Sequence, residues 1–122
     1  MNNNLEKLKD LTEQLSTYPT ANKKEIHYIC PRGAITGNTT KVSPYLTVDD
    51  CTFAENTEFF KHDHKDNEWI LVLQGSLSVS FNGVEHIVPG GKCISIPRKT
   101  SHSLYSTHGC KCYIVHTFPE ED

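Results

Sequence analysis

The run His62-Asp63-His64-Lys65-Asp66-Asn67-Glu68 concentrates the residue types that can do chemistry in this chain. Two imidazoles alternate, so on an extended strand both project from one face, and a carboxylate follows four residues after the second. A third imidazole, His102, closes the segment Gly91-Lys92-Cys93-Ile94-Ser95-Ile96-Pro97-Arg98-Lys99-Thr100-Ser101-His102. Three neutral nitrogens and one anionic oxygen suit a divalent transition metal, whereas calcium and magnesium take mostly oxygen ligands. The expected metal ligands are therefore His62, His64, Glu68 and His102. Four protein donors leave one or two positions open in a larger coordination shell, where a bound water or substrate can be polarised. The His-x-His pair alone would equally suit a polar edge strand. The glutamate and the later Pro–His segment shift the balance toward a metal.

These residues need strands to bring them together, and the sequence supplies many. Short apolar runs recur at Ile26–Cys30, Tyr45–Val48, Glu58–Lys61, Trp69–Leu73, Leu77–Phe81, His86–Val88, Cys93–Ile96, Ser103–Ser106 and Cys112–Phe118. Turn signals separate them, including Thr36-Gly37-Asn38, Pro89-Gly90-Gly91 and His108-Gly109. Asn82-Gly83 between alternating runs predicts a two-residue hairpin. Strands with no helix between them indicate an all-β sandwich or barrel. Lys65-Asp66-Asn67 reads as a tight link that makes its flanking strands antiparallel neighbours and sets Glu68 opposite the His pair. Strand parity then places Phe60 with His62, Ile70 and Val72 with Glu68, and Leu104 with His102. That predicts a small, partly apolar pocket with the metal as its polar anchor. Ahead of the strands, Leu5, Leu8, Leu11 and Leu15 form one stripe and predict an amphipathic helix over residues 4–17, ending before Tyr18-Pro19. The division is a helix and linker at 1–24 and a β domain at 25–122.

At 122 residues the chain suits one domain. It has no apolar run near the roughly 20 residues of a membrane span, and no basic, apolar leader at its start. The net charge is −3 and the longest basic run is Lys23-Lys24, which argues against a nucleic-acid groove. The expectation is a cytoplasmic protein with no membrane and no nucleic-acid partner. Five cysteines without a CxxC pattern read as reduced thiols, with Cys110-Lys111-Cys112 placing two on one strand face. His27, His86, His108 and His116 read as hydrogen-bonded or half-exposed side chains, although His116 shares strand parity with Cys110, Cys112 and Ile114. Tyr28, Tyr45 and Tyr113 read as packing aromatics, and no catalytic acid or base is identifiable.

The two motif segments together resemble the cupin family. Its first motif is a glycine, five residues, His-x-His, three or four residues, Glu, six residues and Gly, and it falls here on Asn56, His62, His64, Glu68 and Gly75. Its second is a glycine, five residues, Pro-x-Gly-x-x-His, three residues and Asn, and it falls on Gly91, Pro97, Lys99, His102 and Ser106. The resemblance covers about residues 42–118. Asn56, Lys99 and Ser106 depart from the pattern, while all four metal-ligand positions are kept. The resemblance implies an all-β, antiparallel jelly-roll β-barrel with a metal inside, here following the short N-terminal amphipathic α-helix. It also implies a homodimer and a resident iron, manganese, nickel, zinc or copper ion. The function it implies is a small metal-dependent enzyme acting on a small molecule, with a dioxygenase-like reaction favoured. The alternatives are a non-catalytic ligand-binding or sensing cupin, and a metal-dependent isomerase or lyase acting on a sugar or small acid.

Overall fold

The computed structural model describes residues 23–63 and 65–118. The helix expected at 4–17 and the candidate ligand His64 lie outside the described residues. Among the described residues there are nine strands: β1 (Lys23–Tyr28), β2 (Ile35–Ser43), β3 (Leu46–Phe53), β4 (Thr57–His62), β5 (Asn67–Phe81), β6 (Val84–Pro89), β7 (Cys93–Ile96), β8 (His102–Ser106) and β9 (Cys110–Thr117). Every pairing between them is antiparallel. The order is β1-β2-β3-β9-β5-β8-β4, with β6 and β7 also on β5. The result is a strongly curled sheet, the architecture expected of a jelly roll.

Strand β5 does the curling. Its first half pairs with β9 and β7, and its second half with β6 and β8. The two apolar runs at 69–73 and 77–81 are thus one strand bent in the middle. The bend falls at Gly75, whose φ is 80° and where a Cβ would stand 2.3 Å from the Gly109 carbonyl oxygen. A side chain is excluded there on both counts. The Asn82-Gly83 hairpin forms as expected, with both residues at positive φ and Phe81 opposite Val84.

Two local expectations are corrected. Thr36-Gly37-Asn38 is the middle of β2 rather than a turn. Gly37 is there because the β3 backbone presses against it: a Cβ would lie 1.7 Å from the Asp50 carbonyl oxygen. The link at Lys65-Asp66-Asn67 does not join neighbouring strands, since among the described residues β4 pairs with β8 and not with β5. The chain passes from β4 to β5 there, and Glu68 meets His62 and His102 rather than a neighbouring strand's pair.

Alternation fills that interior. Ile70, Val72, Leu77, Val79 and Ile96 are fully buried in one apolar cluster with Phe53, Leu104 and Ile114. Burying side chains of this size contributes about 1.5–3 kcal/mol each, which offsets the ordering of the strands. Val48, Leu71 and Tyr113 form a second buried cluster on the alternate positions of β3, β5 and β9. Tyr113 is therefore a packing aromatic, as read from the sequence. No helix among the described residues is long and apolar enough to cross a membrane.

Candidate metal centre

Three separate strand ends bring the candidate ligands together. His62 ends β4, Glu68 is the second residue of β5, and His102 opens β8. His62 and His102 are register partners, and their rings stand with centroids 4.3 Å apart. One donor atom from each of His62, Glu68 and His102 lies within 4.8 Å of the others. His102 and Glu68 are almost wholly buried, with His102 Nε2 3.5 Å from Glu68 Oε2.

The orientation of each imidazole is set by its own strand. His62 Nδ1 lies 2.7 Å from the Phe60 carbonyl oxygen, and His102 Nδ1 lies 2.8 Å from that of Thr100. A carbonyl only accepts, so Nδ1–H donates in both cases. Nε2 is then the nitrogen left with a lone pair in the neutral ring. This is the outer hydrogen bonding that metal-binding histidines use to fix tautomer and direction. Two such imidazoles and a buried carboxylate fit a divalent transition metal. Burial alone would lower the His102 pKa, but the Glu68 carboxylate and the Thr100 carbonyl outweigh it and the net shift is upward.

The pocket beside these residues is about 200 Å³. Its walls are Ile35, Phe53, Phe59, Leu104 and Ile114, and its polar edge is Tyr28, Asp49, His62, Glu68 and His116. Leu104 is where strand parity places it. Ile70 and Val72 share the buried face of Glu68 but belong to the core behind the pocket. Phe60 is half exposed, and Phe59 takes the inward place, its ring 4.9 Å from that of His62. The register shift between Phe59 and His62 explains the exchange: an irregularity there breaks the alternation that parity assumes.

Sequence reading missed the second polar group of the pocket. His116 Nδ1 lies 2.5 Å from Asp66 Oδ2 and its Nε2 3.2 Å from Asp49 Oδ2, with Glu68 Oε1 at 3.7 Å. Asp49 and Asp66 are both buried. Burial lowers the His116 pKa, but Asp49, Glu68 and Asp66 outweigh it and raise it to about 9. That shift favours the imidazolium form, in which both ring N–H groups donate, one to Asp66 and one to Asp49. Tyr28 borders the same cluster, and burial and then the Asp49 carboxylate push its phenol upward. The inward parity of His116 with Cys112 and Ile114 was the available signal; nothing around Asp49 in the sequence marked it. Elsewhere, His27 sits 2.8 Å from Glu25 on the surface and His86 stacks on Phe81, as unspecialised histidines do.

Residues 50–117 match the model of the cupin domain family. The chain belongs to that family. No curated protein matches this cupin. Among solved structures, it is similar to an RmlC-like cupin from Shewanella frigidimarina at 17% identity, over 81% of this chain and 88% of that one, with a TM-score of 0.68. A conserved protein of unknown function from Streptococcus pyogenes aligns at 18% identity over 71% and 76%, with a TM-score of 0.67. KdgF from Halomonas sp. aligns at 20% identity over 72% and 81%, with a TM-score of 0.63. Identities this low speak for a shared cupin fold and nothing finer.

Two of the departures from the cupin motifs keep a left-handed backbone of the kind glycine adopts. Asn56 and Lys99 stand where the family pattern has glycine, and both adopt the left-handed backbone, with φ of 55° and 60°. Asn accepts this readily; Lys does so at a cost of roughly 1–2 kcal/mol. Ser106, in place of the closing Asn, is buried and donates its hydroxyl to the Ser76 carbonyl oxygen at 2.8 Å. It ties β8 to β5 and takes no part in the ligand set.

Proposed function

We propose that this cupin binds a divalent transition metal through His62, His64, Glu68 and His102 and uses it as a small metal-dependent enzyme on a small, partly apolar molecule. The observation that carries this reading is the convergence of His62, Glu68 and His102 donor atoms within 4.8 Å, from three strand ends, with both histidines held through Nδ1. A metal bound there would act as a Lewis acid or as a site for dioxygen. The apolar walls from Ile35, Phe53, Phe59, Leu104 and Ile114 would exclude water and hold the ligand's carbon skeleton. A pocket near 200 Å³ suits a ligand smaller than a typical drug molecule.

The dioxygenase-like reaction needs little from the protein beyond an open metal position and a dry wall, and both are present in this reading. The isomerase or lyase reading has its own support. Asp49, His116 and Tyr28 line the pocket edge and can hold or move a proton beside a bound ligand. The non-catalytic ligand-binding reading uses the same metal and walls without that proton.

The test is direct. The purified protein is assayed for metal, stripped, reloaded with Fe(II) without air, and followed for oxygen uptake with small thiols, diketones and phenols. In parallel, manganese-, nickel- and zinc-loaded samples are incubated with small sugars and acids in deuterated water. Oxygen uptake supports the dioxygenase reading, and deuterium entering a carbon position supports the isomerase or lyase. Metal binding with neither result leaves the ligand-binding reading standing. Failure to bind any of these metals would sink the whole proposal.

A further inference from the structure

The polar edge of the pocket has a hydrogen-bonding character that limits what the pocket can hold. Its described polar lining is Tyr28, Asp49, His62, Glu68 and His116. Asp49 and Glu68 are buried carboxylates, and a carboxylate only accepts. His62 donates its Nδ1–H to the Phe60 carbonyl oxygen, and a ring nitrogen of His62 belongs to the candidate ligand set. His116 stands between Asp66 Oδ2 on its Nδ1 side and Asp49 Oδ2 on its Nε2 side. As an imidazolium it donates to both; as a neutral ring it has a single N–H, which one of them takes. In both forms its ring hydrogens go to carboxylates and not to a ligand.

Tyr28 carries the remaining polar hydrogen of the lining. Burial and then the Asp49 carboxylate push its phenol upward, so the proton stays on the oxygen and is directed to Asp49. No lysine or arginine is among the described residues that line the pocket. A bound molecule therefore meets acceptors on this edge. Charge runs the same way. Three carboxylates, Asp49, Asp66 and Glu68, surround one imidazole, and an imidazolium together with a divalent metal brings the sum no higher than zero.

We infer that the pocket selects a small neutral or cationic molecule that donates a hydrogen bond, from an amino or hydroxyl group, to the Asp49 carboxylate. That selection rests on the metal-binding reading above: one end of the ligand meets the metal, the apolar walls hold its carbon skeleton, and the other end reaches Asp49. Glu68 is engaged with His102 and His116, whereas Asp49 lies on β3, outside the ligand set. An apolar tail would strip water from the pocket side of Asp49 and return no hydrogen bond. An anionic tail would place like charges together with no donor between them. An amino or hydroxyl tail replaces the lost water directly. Asp49 is thus a specificity-determining residue whose replacement leaves the metal ligands in place.

The full-length protein is loaded with Co(II), whose own visible absorption reports the metal before any ligand is added. Four thiols of similar size are then titrated: 2-aminoethanethiol, 2-mercaptoethanol, 1-propanethiol and 3-mercaptopropionate. Sulfur-to-cobalt charge-transfer absorption reads binding, corrected for the acidity of each thiol. The better of the two donor-tailed thiols should bind at least about tenfold tighter than 3-mercaptopropionate, as a charge-assisted hydrogen bond commands. Which of the two leads tells ammonium from hydroxyl. In Asp49→Asn the advantage should shrink to within about threefold, because the amide both donates and accepts. A preference that survives unchanged in Asp49→Asn belongs to chelation by the metal and overturns the inference. Equal binding of 1-propanethiol or 3-mercaptopropionate by the wild type overturns it too, with no variant needed. Absence of Co(II) absorption overturns the metal reading and this selection with it, and is told apart because it is seen before any thiol is present.

Discussion

The inward faces of β3 and β9 run from Asp49 and His116 at one end to Cys51, Cys112 and Cys110 at the other, with Ile114 between. At the first end charges are buried. Asp49, Asp66 and Glu68 surround His116, and the proposed metal site adjoins them. At the second end the same two strands bury weakly polar thiols among Phe53, Val72 and Ile70. The contrast is one of tolerance. A buried carboxylate must be matched by a positive or hydrogen-bonding partner, because an unmatched charge in the interior costs several kcal/mol. A thiol packs as a small apolar group and requires no partner. Geometry at the first end is therefore over-determined by charge pairing, whereas at the second it follows from register alone.

The largest expected effect tests the first end. His62→Ala with His64→Ala should abolish stoichiometric metal while the urea midpoint of the metal-free protein changes little. Elemental analysis after gel filtration reads the outcome, and metal retained in full would dissolve the ligand assignment. A smaller effect separates the two ends by stability. Asp49→Asn replaces the carboxylate that stands 3.2 Å from His116 Nε2 and should cost about 1–3 kcal/mol, the remaining Asp66 contact limiting the loss. Cys51→Ala removes one buried sulfur and should cost about 1 kcal/mol. Chemical denaturation of both variants gives the comparison, and equal losses would erase the distinction between the ends.

The pH dependence of thiol oxidation sharpens the second end. Cys110 has its pKa lowered and Cys93 has it raised, so oxidation by added hydrogen peroxide should set in at lower pH at Cys110 than at Cys93. Rates of site-resolved oxidation across a pH series measure this, and coincident profiles would show the two thiols to be alike. The smallest effect lies outside both ends. Lys99→Gly relieves a left-handed lysine at φ 60° and should raise stability by up to about 1 kcal/mol without changing metal content. A fall in stability would mean that the lysine side chain contributes more than its backbone costs.

Much of this protein is legible before folding is considered. The alternating runs and the Asn82-Gly83 turn determine an all-β chain, because the two-residue period and the hairpin turn are local properties. The types and spacing of His62, His64, Glu68 and His102 point to a metal, since ligand chemistry belongs to the side chain. Legibility fails where a feature depends on what lies across the barrel. Gly37 looks like a turn residue in sequence, and only the Asp50 carbonyl pressed against it explains its place in β2. The inward place of Phe59 in preference to Phe60 follows from a register shift against β8, which no reading of β4 alone contains. His116, Asp49 and Asp66 come from positions up to 67 residues apart and meet only when β3, β5 and β9 close on one another. Sequence by itself determined the element type and the donor chemistry. The tertiary structure decided which buried charges share a pocket, and why: a carboxylate in the barrel is stable only where another strand delivers its partner.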